Sequence, residues 1–418
     1  MMKFLYKKCS LFVAWCLFSP HLLAQTDLKT ILQYAFIADP TLDEAKANIE
    51  MAKSQTKVSE AGHLPVISVT GVSVLDQQRR YTSERRSGPG VSARVNLFAW
   101  GGIEAEIERD RQKEGYYQHK LTETQETMGQ QIGQLYLTAL RAKESILIYQ
   151  ESLKRHKKIL NDLGIIASYD EGRFSEVNEA LSRKNQVEST ILLQERLLHS
   201  TLNRLSRYTK KILTPQDLAD PFAKIDIKAF IQRYKNPDIS TNPSYLAQRK
   251  ELQSAKAAVD AARARRLPAI NLEGNASRHE HEIYLNMSWD IYNPATKYAQ
   301  EQSYYSQKAA EAKLREIELD VKERELTSEV DMLRNQQLMS VTHKQIALQR
   351  NVVKDNELQF TVAAKSLINV LDSYQELTSM QIAEVTARND FRDAALLYLS
   401  SQARISQWAG YNPLLGQK

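Results

Sequence analysis

The stretch Leu64-Pro-Val-Ile-Ser-Val-Thr-Gly-Val-Ser-Val-Leu75 is rich in residues that favour strands, and its proline stands at the opening, where a strand tolerates it. The same Leu-Pro step returns as Leu267-Pro268, 203 positions further along the chain. A second pair of dipeptides, Asp39-Pro40 and Asn242-Pro243, has the same separation of 203 positions. A repeat of this length is far longer than a solenoid unit, so it indicates a duplicated half-protein.

Both copies contain the same order of elements. Each begins with a helix, continues through two short strands into a very long helix, and returns through a tight turn as another helix. In the first copy we expect a linker and then a helix over Thr41–Ala61. We divide the chain into a signal peptide over residues 1–24, a first repeat over 25–209, a linker with an equatorial segment over 210–242, a second repeat over 243–409 and a tail over 410–418.

Alternation of apolar and polar residues predicts strands with one apolar and one polar face. The pattern runs over residues 91–97 in the first copy and over 270–277 and 283–291 in the second. It is typical of a membrane β-barrel with a wet interior, although a soluble hairpin packed on a core would show the same alternation. The polar residues that strand parity places towards a lumen are Arg94, Asn96, Asn271, Glu273, Ser288 and Asp290.

Two stretches without proline predict very long helices. They run from Gly101 to about Gly164 and from Ala295 to Phe360, and each returns after a short turn, over Phe174–Tyr208 and Lys365–Trp408. At 1.5 Å per residue, about 64 residues make a rod on the order of 95 Å long. Many positions along the apolar seam are small or polar, which suits helices packed side by side into a tube. An elongated coiled-coil dimer is the alternative.

Composition and the N-terminus narrow the class of protein. Residues 1–24 have a basic start and a short apolar run, which predicts a secretory signal peptide, and both cysteines, Cys9 and Cys16, lie within it. The formal net charge of +6 is not gathered into a basic block, which argues against nucleic acid as a partner. The chain has no convincing phosphate-binding glycine loop, nucleophile elbow or zinc signature, so we expect no enzyme, no cofactor and no metal site.

Four strands are too few to close a membrane barrel. Such barrels begin at about eight strands, and open strand edges in lipid would leave backbone groups without hydrogen bonds. If the strands enter a membrane, the chain must therefore oligomerise. The longer loop between the first two strands would face outward, either as a solvated loop or attracted to anionic lipid head groups. Its arginines are Arg79, Arg80, Arg85 and Arg86.

Two further motifs join the duplication and the Leu-Pro steps. Asn96-Leu-Phe-Ala-Trp-Gly-Gly102 leads into the first long helix, and Phe360-Thr-Val-Ala-Ala-Lys-Ser-Leu-Ile-Asn-Val-Leu-Asp372 is similar to the turn Y-x-V-G-x-R-S-x-x-D-V-L-D. Together these features resemble the TolC family of outer-membrane export channels over essentially the whole mature chain. The resemblance implies a mainly α fold with a small membrane β part. It further implies a homotrimer with a 12-stranded β-barrel, continued in the periplasm by a long α-helical barrel with a mixed equatorial collar.

The resemblance also implies that the two helical turns form the inner gate of the channel. At the second turn, Phe360 replaces the family's tyrosine, Lys365 its arginine and Asn369 its aspartate, whereas Asp372 is retained. The first turn contributes Gly172 and Arg173, and there Asn178 stands where aspartate is usual. Phenylalanine has no hydroxyl, lysine lacks the guanidinium fork, and asparagine has no charge, so we expect a loosely latched gate. Three copies of Asp372 would form an acidic ring that favours cations.

By this resemblance the protein is the outer-membrane exit duct of a tripartite export system. Its partners would be a periplasmic adaptor protein, an inner-membrane ABC or proton-driven pump, and outer-membrane lipid. The cargo is either a polypeptide of type I secretion or a small molecule, and the weakened gate slightly favours the polypeptide. A periplasmic coiled-coil scaffold without a pore is the rival interpretation. A hydrolase is disfavoured because no coherent catalytic set is present.

Overall fold

The computed structural model describes residues 27–73, 88–278 and 280–411. The predicted signal peptide and the four loop arginines lie outside these ranges. The helices are α1 (Leu28–Ala38), α2 (Pro40–Glu60), α3 (Gly102–Ala167), α4 (Phe174–Ser206), α5 (Ile227–Tyr234), α6 (Pro243–Ala264), α7 (Pro294–Thr361), α8 (Leu367–Ser401) and α9 (Ile405–Trp408). The strands are β1 (Val66–Val72), β2 (Gly88–Phe98), β3 (Ala269–Ser277) and β4 (His281–Ser288).

The repeated dipeptides occupy equivalent corners of the two copies. Asp39 caps α2 by accepting a hydrogen bond from the backbone N–H of Thr41 at 2.9 Å, and Asn242 caps α6 through Ser244 at 3.0 Å. In both helices proline is the first helical residue, where its missing N–H is harmless. The two Leu-Pro steps directly precede β1 and β3. The order α2–β1–β2–α3–α4 therefore returns as α6–β3–β4–α7–α8, which confirms the predicted duplication.

One antiparallel sheet joins the two copies in the order β1–β2–β3–β4. Its central pair is β2 with β3, where Arg94 lies opposite Glu273 and Asn96 opposite Asn271. Because β1 and β4 are the outer strands, each has one edge without a strand partner among the described residues. Below the sheet, α4 packs on α3, α3 on α8, and α8 on α7. The four limbs thus form a single layer with α4 at one end and α7 at the other, and α6 packs beside part of α7.

The equatorial core corrects one expectation about the first copy. The predicted linker before α2 contains α1, which is capped by Asp27 and buries Leu28, Ile31, Leu32, Ala35 and Phe36 along one helical face. That face packs into a core shared with α3, α5, α8 and α9. The equatorial segment itself contains α5 between short 3₁₀ turns, as its prolines predicted. The amphipathic spacing of α1 is visible in the sequence, but the helix was not predicted because it has only 11 residues.

Two element boundaries also differ from expectation. The limb predicted over Lys365–Trp408 divides, because α8 ends at Ser401 in a turn where Ala403 has a φ of 51°. This turn lets α9 fold back on α3, where buried Glu126 accepts hydrogen bonds from the backbone N–H groups of Ile405 and Ser406 at 2.7 and 3.1 Å. Strand β4 ends at Ser288, three residues before the predicted end. None of the helices in the described residues combines the length and apolar character needed to cross a bilayer.

A glycine contact allows α3 and α8 to approach closely at the equator. A Cβ on Gly133 would lie 2.6 Å from the side chain of Leu396, which is buried and has no room to move aside. We expect Gly133→Ala to destabilise the protein by about 1–3 kcal/mol through overpacking. Gly164, on the same helix, has open space around it among the described residues, so Gly164→Ala should stabilise by up to about 1 kcal/mol. Thermal unfolding of both variants tests this, and equal shifts would contradict the close packing.

Candidate conduit and its periplasmic tip

The polar face of the sheet centres on the carboxylate of Glu273. The hydroxyl of Tyr284 donates to Glu273 Oε2 at 3.0 Å, and Asn286 Nδ2 donates to Oε1 at 3.1 Å. Arg94 Nε lies 3.9 Å from the same Oε1. Four polar side chains from β2, β3 and β4 therefore form one cluster on this face. Tyr284 and Asn286 were absent from the predicted lumen residues, although their alternation with apolar neighbours was visible in the sequence.

The other predicted lumen residues divide into two groups. Asn96 and Asn271 lie on the polar face and join β2 to β3, with Asn96 Nδ2 donating to Asn271 Oδ1 at 3.0 Å. Ser288 is the last residue of β4 and lies opposite Ala269. Asp290 lies beyond the strand, where its carboxylate accepts a hydrogen bond from Asn293 at 3.2 Å just before α7 begins. Asp290 is therefore a corner residue rather than a strand residue.

The opposite face of the sheet is apolar and uncovered. Val69 and Ile283 are each 80% exposed, and Ile67, Leu285 and Met287 are exposed to a similar degree. No described helix packs on these side chains, so the sheet is not a hairpin resting on the protein's own core. An apolar face outside a polar face is the arrangement that strands adopt between lipid and water.

Two tryptophans fasten the ends of the strands to the helices. Trp100 Nε1 donates to the carbonyl of Pro268 at 2.7 Å and so ties the first copy to the second. This bond stabilises a backbone with a φ of 55° at Trp100. Trp289 Nε1 donates to the carbonyl of Arg266 at 3.2 Å. Both rings are half-exposed, in the amphipathic setting that tryptophan prefers at a membrane–water boundary. The motif Asn96–Gly102 noted in the sequence includes Trp100, but neither tryptophan hydrogen bond was predicted.

At the opposite end of the rods, the first turn is held by short-range contacts. The backbone N–H of Gly172 donates to Asp170 Oδ1 at 3.1 Å, and Arg173 pairs with Glu176 at 3.2 Å. Arg173 also lies 3.6 Å from Asp170. Asn178 is exposed on α4. These contacts all stay within one turn, so they shape the first tip without joining it to another helix.

The second turn closes α7 with a C-terminal motif that usually requires glycine. The N–H of Ala364 donates to the carbonyl of Gln359 at 2.9 Å and that of Ala363 to Phe360 at 3.0 Å, while Ala363 has a φ of 55°. Lys365 Nζ then donates to Asn356 Oδ1 at 2.9 Å, and Asn356 Nδ2 donates to the carbonyl of Asn369 at 3.3 Å. The side chain of Asn369 itself is exposed. Lys365 thus fastens the turn to its own hairpin.

Phe360, at the end of α7, is buried within the single chain. Its ring is buried in a small core between the hairpins, with Leu367, Val370 and Leu371. Phenylalanine suits this site because burial of an apolar ring needs no hydrogen-bond partner. The missing hydroxyl at this position therefore suits packing in this core.

Two long ion pairs connect the hairpins near the tip. Asp372 Oδ1 lies 3.9 Å from Arg183 Nη2 on α4, and Lys158 Nζ on α3 lies 3.9 Å from Glu357 Oε2 on α7. Asp372 is well exposed, as is Lys158. Exposed pairs at this distance contribute well under 1 kcal/mol each, so they fasten the tip only weakly.

A buried polar junction provides the closer link, and sequence reasoning missed it. Thr378 on α8 donates to Ser152 Oγ on α3 at 2.9 Å, and Tyr374 on α8 donates to Glu357 Oε1 on α7 at 2.5 Å. The buried ring of His156 contacts Tyr374 edge-on, with ring centres 5.4 Å apart. Burial and the bond to Glu357 raise the pKa of Tyr374, so its hydroxyl remains a donor. No motif signals this junction, since its members are far apart in the chain.

At the equator, where α3 and α8 pack on the equatorial segment, the contacts between helices are much stronger than at the tip. Arg392 on α8 is 1% exposed and donates to both carboxylate oxygens of Glu144 on α3, at 2.8 and 3.0 Å. It also donates to Asp220 Oδ2 in the equatorial segment at 2.7 and 2.9 Å. Such charge-assisted fork contacts fix geometry, and removing one partner from a buried pair typically costs about 3–5 kcal/mol. The helices are therefore anchored at the equator and more loosely joined at the tip.

An exposed apolar sheet face, an opposed polar face and long paired helices are the features that an outer-membrane channel protein requires. The first half of the chain, residues 31–209, matches the family described as outer membrane efflux protein. The chain is therefore similar to outer membrane efflux proteins over these residues. No curated protein sequence matches the chain.

Solved structures share this fold at low sequence identity. The Campylobacter jejuni CmeC outer membrane channel has a TM-score of 0.74 and 12% identity, with 93% of this chain and 90% of that chain covered. The outer membrane protein VceC from Vibrio cholerae has a TM-score of 0.73 and 13% identity, covering 90% and 96%. The outer-membrane channel OprN has a TM-score of 0.73 and 15% identity, covering 90% and 89%. These matches extend the fold over both halves of the chain.

The alanine in the second turn offers a direct test of the tip. We expect Ala363→Gly to stabilise the protein by up to about 1 kcal/mol, because strain of roughly 1–2 kcal/mol in the left-handed region exceeds the added chain entropy of glycine, about 0.4–1 kcal/mol. The matched change Ala347→Gly, at an exposed position inside α7, should destabilise by about 1 kcal/mol. Thermal unfolding gives both signs. Destabilisation by both changes would mean that the turn is unstrained.

Proposed function

We propose that three copies of the chain assemble into the exit duct of a tripartite export system, with a 12-stranded barrel in the outer membrane and a helical tunnel in the periplasm. The observation that carries the proposal is the sheet, whose apolar face and two outer edges have no covering from the residues that the structure describes. Lipid would cover the face, and pairing of β1 with β4 of a neighbouring copy would satisfy the edges. Three copies of four strands reach the number that the family resemblance implies.

The helical layer supports the same assembly. Exposed apolar residues recur along α7 at helical spacing, and α4 also presents exposed leucines at the other end of the layer. Contact between α4 of one copy and α7 of the next would bury both sets and close the layer into a tube. The residues concerned are Leu326, Val330, Leu333, Val341, Leu348 and Val352 on α7, and Leu181, Leu192 and Leu193 on α4. We retain the predicted repeats, 25–209 and 243–409, as the halves of each protomer.

The tips support docking of a periplasmic adaptor protein, with an inner-membrane pump beyond it. Tyr169 is 90% exposed on the first tip, close to Ile165 and Phe174, and Val362 and Ile368 are exposed on the second. Apolar side chains at the far ends of two hairpins suit contact with another helical protein. The pump would supply the energy, because the duct has only passive groups. The family is named for efflux, so we favour small-molecule cargo over the polypeptide.

The lumen would be lined by the polar strand face in the membrane and would narrow at the tips. Arg94, Asn96, Asn271 and Glu273 would meet cargo in the barrel, with Ser288 at its periplasmic rim. At the tip, Asp372 remains the proposed source of cation preference. Its charge is partly offset by Arg183, whose guanidinium lies 3.9 Å away. A pore-free scaffold would instead need a protein partner to cover the bare face of the sheet.

Two substitutions on one strand test the orientation of the sheet. Leu285→Lys places a charge on the apolar face and should reduce assembly into outer membrane or lipid vesicles, at a cost of about 2–4 kcal/mol per chain near mid-membrane. Asn286→Lys, one residue further on, places the same charge on the polar face beside Glu273 and should assemble normally. Membrane-fraction yield and heat-resistant trimer on gels provide the measurement. Equal assembly of both variants would favour the scaffold.

Single-channel recording in planar bilayers tests the conduit and its tip. We expect discrete cation-selective openings from the wild type, because three Asp372 carboxylates would surround the narrow end. Asp372→Ala should lower the cation preference, whereas Arg183→Gln should raise it by removing the offsetting charge. Openings with unchanged selectivity in both variants would remove Asp372 from the gate. Assembled protein without any openings would refute the duct.

A further inference from the structure

The buried junction between the hairpins contains a group whose charge can change in the acid range. His156 on α3 is 2% exposed, and its Nδ1 lies 2.9 Å from the carbonyl of Ser152, so this nitrogen carries the proton of the neutral ring. The ring packs edge-on against Tyr374 of α8. At 1.5 Å per residue, the eleven residues to the end of α3 place the junction roughly 17 Å above the tip.

The junction connects both hairpins of one protomer. Tyr374 contacts His156 on α3 with its ring and donates its hydroxyl to Glu357 on α7. Thr378, one turn further along α8, donates to Ser152. Each of these side chains except Glu357 is at most 3% exposed. The junction therefore provides buried hydrogen bonds where the exposed ion pairs of the tip provide little.

The charged groups around His156 do not favour a second proton on its ring. Arg155, on the same helix, lies with its guanidinium 6.0 Å from the ring of Tyr374, and Arg183 on α4 also acts on the imidazole. The carboxylate of α7 in the junction, Glu357, is engaged by Tyr374, and Asp372 of α8 faces Arg183. Burial first, and then these two cations, lower the pKa of His156 below its ordinary value of 6.5.

We propose that His156, Tyr374 and Glu357 form a latch that holds the two hairpins of a protomer together near the tip, and that protonation of His156 releases it. The closed packing is fully stable while the ring is neutral. As the pH falls through the range in which an exposed imidazole would charge, separation of the hairpins exposes the ring to water and allows it to bind a proton. Acid therefore shifts the tip towards its open form. The consequence for transport rests on the proposed duct, but the latch itself does not.

The acid response of the latch is opposite in sign to that of Asp393, a carboxyl whose pKa is raised into this range. Burial, together with the nearby Asp390, raises the pKa of Asp393 to about 6. Its carboxyl is therefore protonated more readily in the folded protein, and acid stabilises its surroundings. Asp393 lies 19 residues beyond Tyr374 on α8, roughly 28 Å along the helix. Loosening of the tip in acid would thus come from His156 and not from Asp393.

Distances between spin labels test the latch without requiring a pore. The only cysteines, Cys9 and Cys16, fall in the predicted signal peptide, so Asn161→Cys on α3 and Gln375→Cys on α8 provide exposed labelling sites in the mature chain. Between about pH 7.5 and pH 5.5 we expect a longer distance to appear in the assembled protein. The ratio of open to closed form should rise by up to about tenfold per pH unit below 6.5 until the ring in the closed form is itself charged.

Three variants identify the group responsible. His156→Phe keeps a ring against Tyr374 but takes no proton, so its distance distribution should not change with pH. His199→Phe removes an exposed histidine from α4 and should respond as the wild type does. Tyr374→Phe removes the hydroxyl that binds α7 of its own hairpin but keeps the ring against His156 on the other hairpin, so it should keep the response to acid.

The outcomes separate the latch from the duct. A response in His156→Phe equal to that of the wild type, or no response in the wild type, overturns the latch. Single-channel recording at the same two pH values then measures the consequence, and more frequent openings in acid that His156→Phe abolishes would support it. Loss of all channel activity with an intact distance response would refute the duct and leave the latch standing.

Discussion

The unpaired edges of a four-stranded sheet impose the main constraint on this protein. Backbone groups at the outer edges of β1 and β4 need partners, and the apolar side chains on one face need a covering that the chain itself does not supply. A polar face that bonds internally, through Glu273 and Asn271, lies on the other side. In the helical layer, α4 and α7 likewise present exposed apolar side chains. Assembly with further copies around an axis in lipid would satisfy the edges and the apolar face of the sheet. The same assembly would cover α4 and α7.

Much of this fold was predictable because its signals are local. Asp39-Pro40 and Asn242-Pro243 are cap-plus-proline starts of helices, and the Leu-Pro steps begin strands, so a few dipeptides marked the duplication. Strand parity placed Arg94, Glu273 and their neighbours on one face because the side-chain period in a strand is two. The long helices followed from the absence of proline. Where one residue type has one local role, the sequence is sufficient.

The differences came from side-chain packing and hydrogen bonds that a periodic pattern does not show. Phe360 was compared with a gate tyrosine, yet tertiary packing buries it beside Leu367. Asp290 fitted the alternation of β4, but hydrogen bonding to Asn293 ends the strand before it. The junction of His156 with Tyr374 and the cluster of Arg392 with Glu144 join residues more than 200 positions apart. Side chains of ordinary type with no shared motif become a site only when helices bring them together.

The contacts between helices are stronger at the equator than at the tip, and this difference indicates which part of the protein can move. At the equator, Gly133 admits Leu396 into close contact, and buried Arg392 bonds two carboxylates, so separation there would expose both a core and a charge cluster. At the tip, the exposed pair of Asp372 with Arg183 contributes little. We therefore expect motion to pivot about the equator. The buried contacts around Tyr374 and the small core around Phe360 join the hairpins nearest the free ends. Loss of the contacts around Tyr374 would therefore displace the tips while the packing at the equator stays intact.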